Sequence, residues 1–152
     1  MARRRSDNKT LELLDWQPPA VAETFTPERV RGHTDRIRMG RAYAEAMKDS
    51  DQSRDDIHAD MIAHLGFTFG RHSFDRCTAA SAEGHEFTVS KLIAFLHAVP
   101  DIRVINELLN GTGFAAVPEK YLSAIEEAIC AEQIEKFTER KRLARRNWRG
   151  RS

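Results

Sequence analysis

From Thr26 onward, apolar residues recur every three or four positions, the spacing that gathers them on one face of an α-helix. Thr26 as N-cap and Pro27 at the first helical position open a helix through PERVRGHTDRIRMGRAYAEAMKDS, with Val30, Ile37, Ala44 and Met47 on one stripe and Gly32 and Gly40 weakening it. Ser53 caps a second helix, in which Ile57, Met61, Ile62 and Leu65 share a face and Gly66 supplies the left-handed stop. The glycine-bracketed segment FTFGRHSFDRCTAASAEG predicts a short third helix from about Ser73 to Ala82, with Phe74, Cys77 and Ser81 on one side and Arg71, His72, Asp75, Arg76 and Thr78 on the other. Thr88 caps a fourth helix, VSKLIAFLHAV, whose Val89, Leu92, Ile93, Leu96 and Val99 form the most pronounced core stripe, and Pro100 stops it. Asp101 then caps IRVINELLNG, which ends at Gly111. Pro118 starts a long last helix from about Glu119 toward Trp148, its first half packed through Tyr121, Leu122, Ile125, Ile129 and Phe137. GFTF and GFAAV are short enough only for weak strand pairing, so the expected fold is all-α.

Ahead of this helical region, Pro18 and Pro19 forbid a continuing helix in TLELLDWQPPAVAETF and make residues 1–25 an extended arm. Leu11, Leu13, Leu14, Trp16 and Phe25 are too apolar to be left in water, and at least Trp16 is expected to dock on the body or on a second copy. The organisation expected is therefore an arm over 1–25, a helical domain over 26–117 and a C-terminal helix with a basic tail over 118–152.

Charge changes this picture more than composition does. The formal net charge of +1 conceals three zones. Arg3, Arg4, Arg5 and Lys9 against Asp7 leave residues 1–10 at +3, and eight cations against Glu139 leave residues 136–152 at +7, so the middle carries −9. Two basic arms on an acidic body attract polyanions by Coulomb attraction and counterion release, which makes nucleic acid the first partner to consider; the plainer alternative is that the tails solubilise the termini or fold back on the body. No apolar run reaches the roughly 18 residues of a membrane span, and MARRRSDNKT leads into no apolar signal core, so a cytoplasmic, non-membrane protein is expected. Cys77 and Cys130 lack CxxC spacing and read as reduced thiols.

The order of helices in the middle of the chain is that of a helix-turn-helix unit: SRDDIHADMIAHLG as supporting helix, RHSFDRCTAAS as recognition helix and FTVSKLIAFLHAV as the next core helix. Over roughly Arg36 to Gly111 the chain resembles the lambda-repressor and Cro type of helix-turn-helix domain. Within that class, the flow from LLDWQPP through SRDDI and FDRCTAASAEGHEF to VPEKYLSAIE is similar to small proteins of Mu-like transposable prophages. The resemblance implies a compact five- to six-helix bundle containing a helix-turn-helix, and a transcription regulator that binds double-stranded DNA, commonly as a homodimer. It implies that Arg71, His72, Ser73, Asp75, Arg76 and Thr78 on the helix around 73–82 face base edges. Arg suits guanine, Ser and Thr suit phosphates or bases, and Asp75 either reads a cytosine amine or sits aside. Phe74 and Cys77 face inward. Arg3, Arg4, Arg5, Lys141, Arg142, Arg145, Arg146 and Arg149 are the phosphate contacts expected of the two arms. Asp49, Asp51, Asp55, Asp56 and Asp60, just ahead of the reader, oppose phosphates, and the arms must compensate.

Other chemistry has little to stand on. His58 and His64 lie on different faces of their helix, and neither HExxH nor paired Cys/His spacing occurs, so no metal is expected. His97 reads as a half-buried packing residue. Ser73, Ser81 and Cys77 sit in no nucleophile elbow, and GTGF lacks the lysine of a phosphate loop, so neither catalysis nor a cofactor nor a small-molecule substrate is expected. The rival is a non-enzymatic all-helical interaction or scaffold protein with basic tethering tails, for which the Leu11–Trp16 strap and the Tyr121–Ile129 stripe would be the contact surfaces.

Overall fold

A computed structural model describes residues 22–81 and 84–150, and among these every regular element is helical. The elements are α1 (Pro27–Val30), α2 (Asp35–Asp49), α3 (Arg54–Leu65), α4 (Arg71–Thr78), α5 (Val89–Ala98), α6 (Ile102–Leu108), a 3₁₀ turn (Glu119–Tyr121) and α7 (Leu122–Arg149). Leu11, Trp16 and Arg3–Arg5 of the expected arm lie outside the described residues.

Local chemistry explains most starts and stops. Ser53 Oγ accepts from the Asp56 amide at 3.1 Å, Thr88 caps α5 through the Lys91 amide, Asp101 caps α6 through the Arg103 amide, and Gly66 ends α3 at φ 72°. The single first helix expected from Pro27 to Ser50 is in fact two. Thr34 accepts from the Ile37 amide at 3.2 Å and starts α2 afresh, while at Gly32 a Cβ would stand only 2.7 Å from Ile37 Cγ2. Glycine weakens the helix there, and the threonine offers the backbone a competing cap.

The core is a cluster of Phe25, Val30, Ala42, Tyr43, Ala46, Met47, Ile57, Met61, Phe74, Ala94, Phe95, Ala98, Val99 and Val104, with α3 packed on α5 and α2 on α6. Two expected stripes are rotated. On α2 the buried residues are Gly40, Ala42, Tyr43, Ala46 and Met47, whereas Ile37 and Ala44 are half-buried. On α5, Ala94, Phe95 and Ala98 face inward; Leu92 and Leu96 pack at the margin, and Val89 (74% exposed) and Ile93 (47%) face out. The choice of face follows the aromatic rings, since Tyr43 meets Phe87 and Phe95 at centroid distances of 5.0 and 5.1 Å.

An ionic network closes the end of the bundle where α1, α2 and α6 meet. Arg29 donates to Glu45 and Asp49, and Arg103 donates to Asp49 and Asp101, with both guanidiniums lying over the Phe25 ring. Buried Asn106 joins the chain's entry and exit: its amide donates to the carbonyls of Glu23 and Ala116 and accepts from the Ala116 amide. The hydrogen bonds from Arg29 and Arg103 hold the Asp49 carboxyl at about 2, below its ordinary 3.8. A carboxyl depressed in the folded state stabilises it above the unfolded pKa and loses that contribution as pH falls through the folded one. Stability should therefore decline between about pH 4 and pH 2, and Asp49→Asn should flatten that part of the acid limb in urea titrations at stepped pH. An unchanged limb would count against the network.

α7 departs most from expectation. Tyr121 and Ile125 are half-buried, but Leu122, Ile129 and Phe137 are exposed rather than packed, and no residue of the helix is buried. Among the described residues its main packing partner is the 3₁₀ turn that precedes it, and no helix is long and apolar enough to cross a membrane.

Candidate nucleic-acid interface

α4 runs from Arg71 to Thr78, two residues earlier at its start and four earlier at its end than the span 73–82 expected. Its stop is imposed from α2. The Arg36 guanidinium donates to the carbonyls of Arg76 at 2.8 Å and Ala79 at 3.1 Å, taking acceptors that the next helical turn would need. Gly40, one turn along α2, permits this approach: a Cβ there would come within 3.0 Å of Ala79 O and Ala80 Cα.

Phe74 and Cys77 point inward as expected, and burial pushes the Cys77 thiol up. On the opposite side the expected set divides. His72 and Arg76 are exposed, and Ser73 is half-buried. Arg71 is held between Asp55 and Asp75, at 3.1 Å from the latter, with its guanidinium over the Phe74 ring. Asp75 sits aside, accepting from Arg71 and from Arg54 at 2.9 Å. Burial raises the Asp75 carboxyl, but those two guanidiniums together outweigh it and leave the group ionised below its ordinary range. Thr78 corrects the expectation of an outward contact. Its side chain is buried, donating to the Phe74 carbonyl at 3.0 Å and accepting from Arg54 at 2.7 Å. A threonine bonded back to the preceding turn cannot also meet a phosphate or base.

Arg54 is the residue that sequence reasoning passed over. It opens α3, where the positive end of the helix dipole disfavours a cation. That misplacement was a legible signal that a carboxylate must compensate it. Arg54 reaches Asp75, Thr78 and the face of the Phe74 ring, and so fixes α4 to α3. His58 adds to the joint, with Nε2 at 2.9 Å from the Phe69 carbonyl and its ring against Phe69 and Phe74. His97 is exposed rather than half-buried and stacks on His64 at 4.0 Å. Among the described residues no group of three or more His, Cys, Asp or Glu side chains is placed to hold a metal ion.

The cations of the C-terminal stretch are arranged differently. Thr138, Lys141, Arg142, Arg145, Arg146, Arg149 and Gly150 lie together along one side of α7. Ion pairs on this helix join Lys136 to Glu132 and Arg142 to Glu139, while Lys141, Arg145, Arg146 and Arg149 stand exposed. Among the described residues Arg71 of α4 is paired with neighbouring carboxylates and Arg76 stands exposed, while the concentrated cationic face belongs to α7. Comparison with protein-family models, with curated proteins and with solved structures finds no match.

Proposed function

We propose that this chain binds double-stranded DNA as a regulator of phage or prophage type, gripping phosphates with the cationic face of α7 and offering His72, Ser73 and Arg76 of α4 to the major groove. The observation that carries the proposal is the cluster of Lys141, Arg142, Arg145, Arg146 and Arg149 on one side of α7, five cations within about two and a half helical turns. Such a density is expensive in self-repulsion unless a polyanion relieves it. The Arg54–Asp75–Arg71–Asp55 chain supports it in a second way, because mutual neutralisation reduces the repulsion that the aspartates around α4 would exert on a duplex. Arg76 then has the role of sequence reader, since a guanidinium donates two hydrogen bonds to guanine.

Duplexes selected from a random pool test the assignment. The wild-type chain should enrich a sequence, and Arg76→Ala should lower discrimination of that sequence from random duplex by about 1–3 kcal/mol while leaving nonspecific binding nearly intact. Failure of the wild type to enrich any sequence would remove the reader role. The scaffold reading keeps one specific observation in its favour, the apolar side chains that α7 leaves in water.

A further inference from the structure

α7 carries two patterns along its 28 residues, about 42 Å of rod. The first is apolar. Leu122, Ile125, Ile129, Phe137, Leu143 and Trp148 fall on one broad face, five of them exposed, with Trp148 73% exposed. Following the row Leu122, Ile125, Ile129, Gln133, Phe137, Arg140, Ala144, Trp148, the steps are three or four residues throughout, which keeps the row on one side of a nearly straight helix. The second pattern is electrostatic. Residues 122–135 hold Glu126, Glu127, Glu132 and Glu135 and no cation, a charge of −4; residues 136–149 hold seven cations against Glu139, a charge of +6.

We propose that α7 pairs antiparallel with α7 of a second copy of this chain, burying the apolar face of each helix against the other. A rod with one acidic half and one basic half complements its own reversal. Set antiparallel with Leu122 opposite Trp148, the acidic half of each helix lies along the basic half of the other, and Glu126 and Glu132 come within a turn of the partner's Lys136, Arg140 and Lys141. The parallel arrangement would put +6 beside +6 and is repelled. The symmetric pair is isologous, so one surface suffices for both copies.

The proposal does not depend on the DNA reading and is compatible with it. Arg142, Arg145, Arg146 and Arg149 follow one another at steps of three, one and three, and lie on the side of the helix away from the apolar row. Pairing leaves them in water and doubles the cationic face.

Sedimentation equilibrium of the full chain without nucleic acid tests it. The wild type should be a dimer. Ile129→Asp with Phe137→Asp should weaken self-association by about tenfold or more, with unchanged helical circular dichroism of the body, because neither residue is buried in the monomer. Direction is tested by charge. Chains carrying Glu126→Lys and Glu132→Lys, or Lys136→Glu and Arg140→Glu, should each self-associate less than the wild type and should recover when mixed with one another. Exposed Cys130 supplies a further readout. Antiparallel pairing keeps the two Cys130 thiols about 15 Å apart along the axis, so they should resist oxidation to a linked dimer, while Lys136→Cys in a Cys130→Ser background should link readily. A monomeric wild type, a dimer indifferent to the Asp substitutions, or ready Cys130–Cys130 linkage would each overturn the proposal. Loss of DNA binding with dimerisation intact would overturn only the function proposed above.

Discussion

Replacing Lys141, Arg145, Arg146 and Arg149 together by alanine is expected to strip most of the salt dependence from binding to random duplex. Each phosphate neutralised contributes about −0.9 to the slope of log affinity against log salt, so four lost contacts should flatten it by about 3.6. Between 50 and 200 mM salt, roughly a hundredfold of the wild type's fall in affinity should vanish in the variant. The four are exposed on a helix with no buried residue, so the substitution should leave the fold alone, and alanine also favours the helix. Fluorescence anisotropy on one duplex over a salt series reads the slope. A variant slope equal to the wild type's would mean that the cations of α7 meet no phosphate. Arg76→Ala should behave in the opposite way, with discrimination lost and slope little changed, so the two variants separate grip from reading.

The legible parts of this fold were those written in local chemistry. Ser53, Thr88 and Asp101 announce helix starts because each side-chain oxygen meets an amide two or three residues on, and Gly66 announces a stop because it alone adopts φ 72° there without strain. Ile57 and Met61 were legible because they stand one turn apart on the side of α3 that meets the core, while Ile62 and Leu65 of the same expected face are only half-buried. On α5 periodicity points to the face of Val89, Leu92, Ile93 and Leu96, yet the core takes Ala94, Phe95 and Ala98, because the choice rests on the contact of Tyr43 with Phe95, partners distant in sequence. The end of α4 was illegible in the same sense. Ala79, Ala80 and Ser81 carry no local stop, and the helix ends where Arg36, some forty residues upstream, takes its carbonyls. On α7 the apolar residues share a face, but a stripe does not say where its partner lies, and among the described residues Leu122, Ile129 and Phe137 are left exposed rather than packed.

The candidate site divides along the same line. Inward Phe74 and Cys77 and outward His72 and Arg76 follow from helical spacing alone. Thr78 and Arg71 stand two and five residues from Arg76, a spacing that turns them round α4 toward the side of Phe74, and there Arg54 and Asp55 from another helix claim them. Spacing therefore already separates them from His72 and Arg76, and the Arg at the opening of α3 is the local hint of the pairing that holds them.

Phe74→Ala is expected to have the largest effect on stability, about 3–5 kcal/mol. Its side chain is fully buried, with His58 and Phe87 rings at 5.3 and 6.3 Å and the guanidiniums of Arg54 and Arg71 over its face at 5.4 and 5.5 Å. Truncation would leave a cavity bounded by groups that cannot all move inward, since Arg54 is tied to Asp75 and Thr78 and His58 to the Phe69 carbonyl. It would also remove the surface on which both guanidiniums rest, so the α3–α4 joint should loosen before the rest of the bundle. Urea unfolding gives the stability loss, and amide exchange on α4 relative to α3 and α5 gives its location. Phe114→Ala is the matched control: the same side chain, 76% exposed in the loop after α6, whose removal should change the stability of the bundle by less than about 0.5 kcal/mol. A Phe74→Ala chain with the wild-type midpoint, or exchange accelerated evenly over all helices, would show that α4 is not anchored through Phe74. The reading surface proposed for its outer side would then lack the rigid support that base recognition requires.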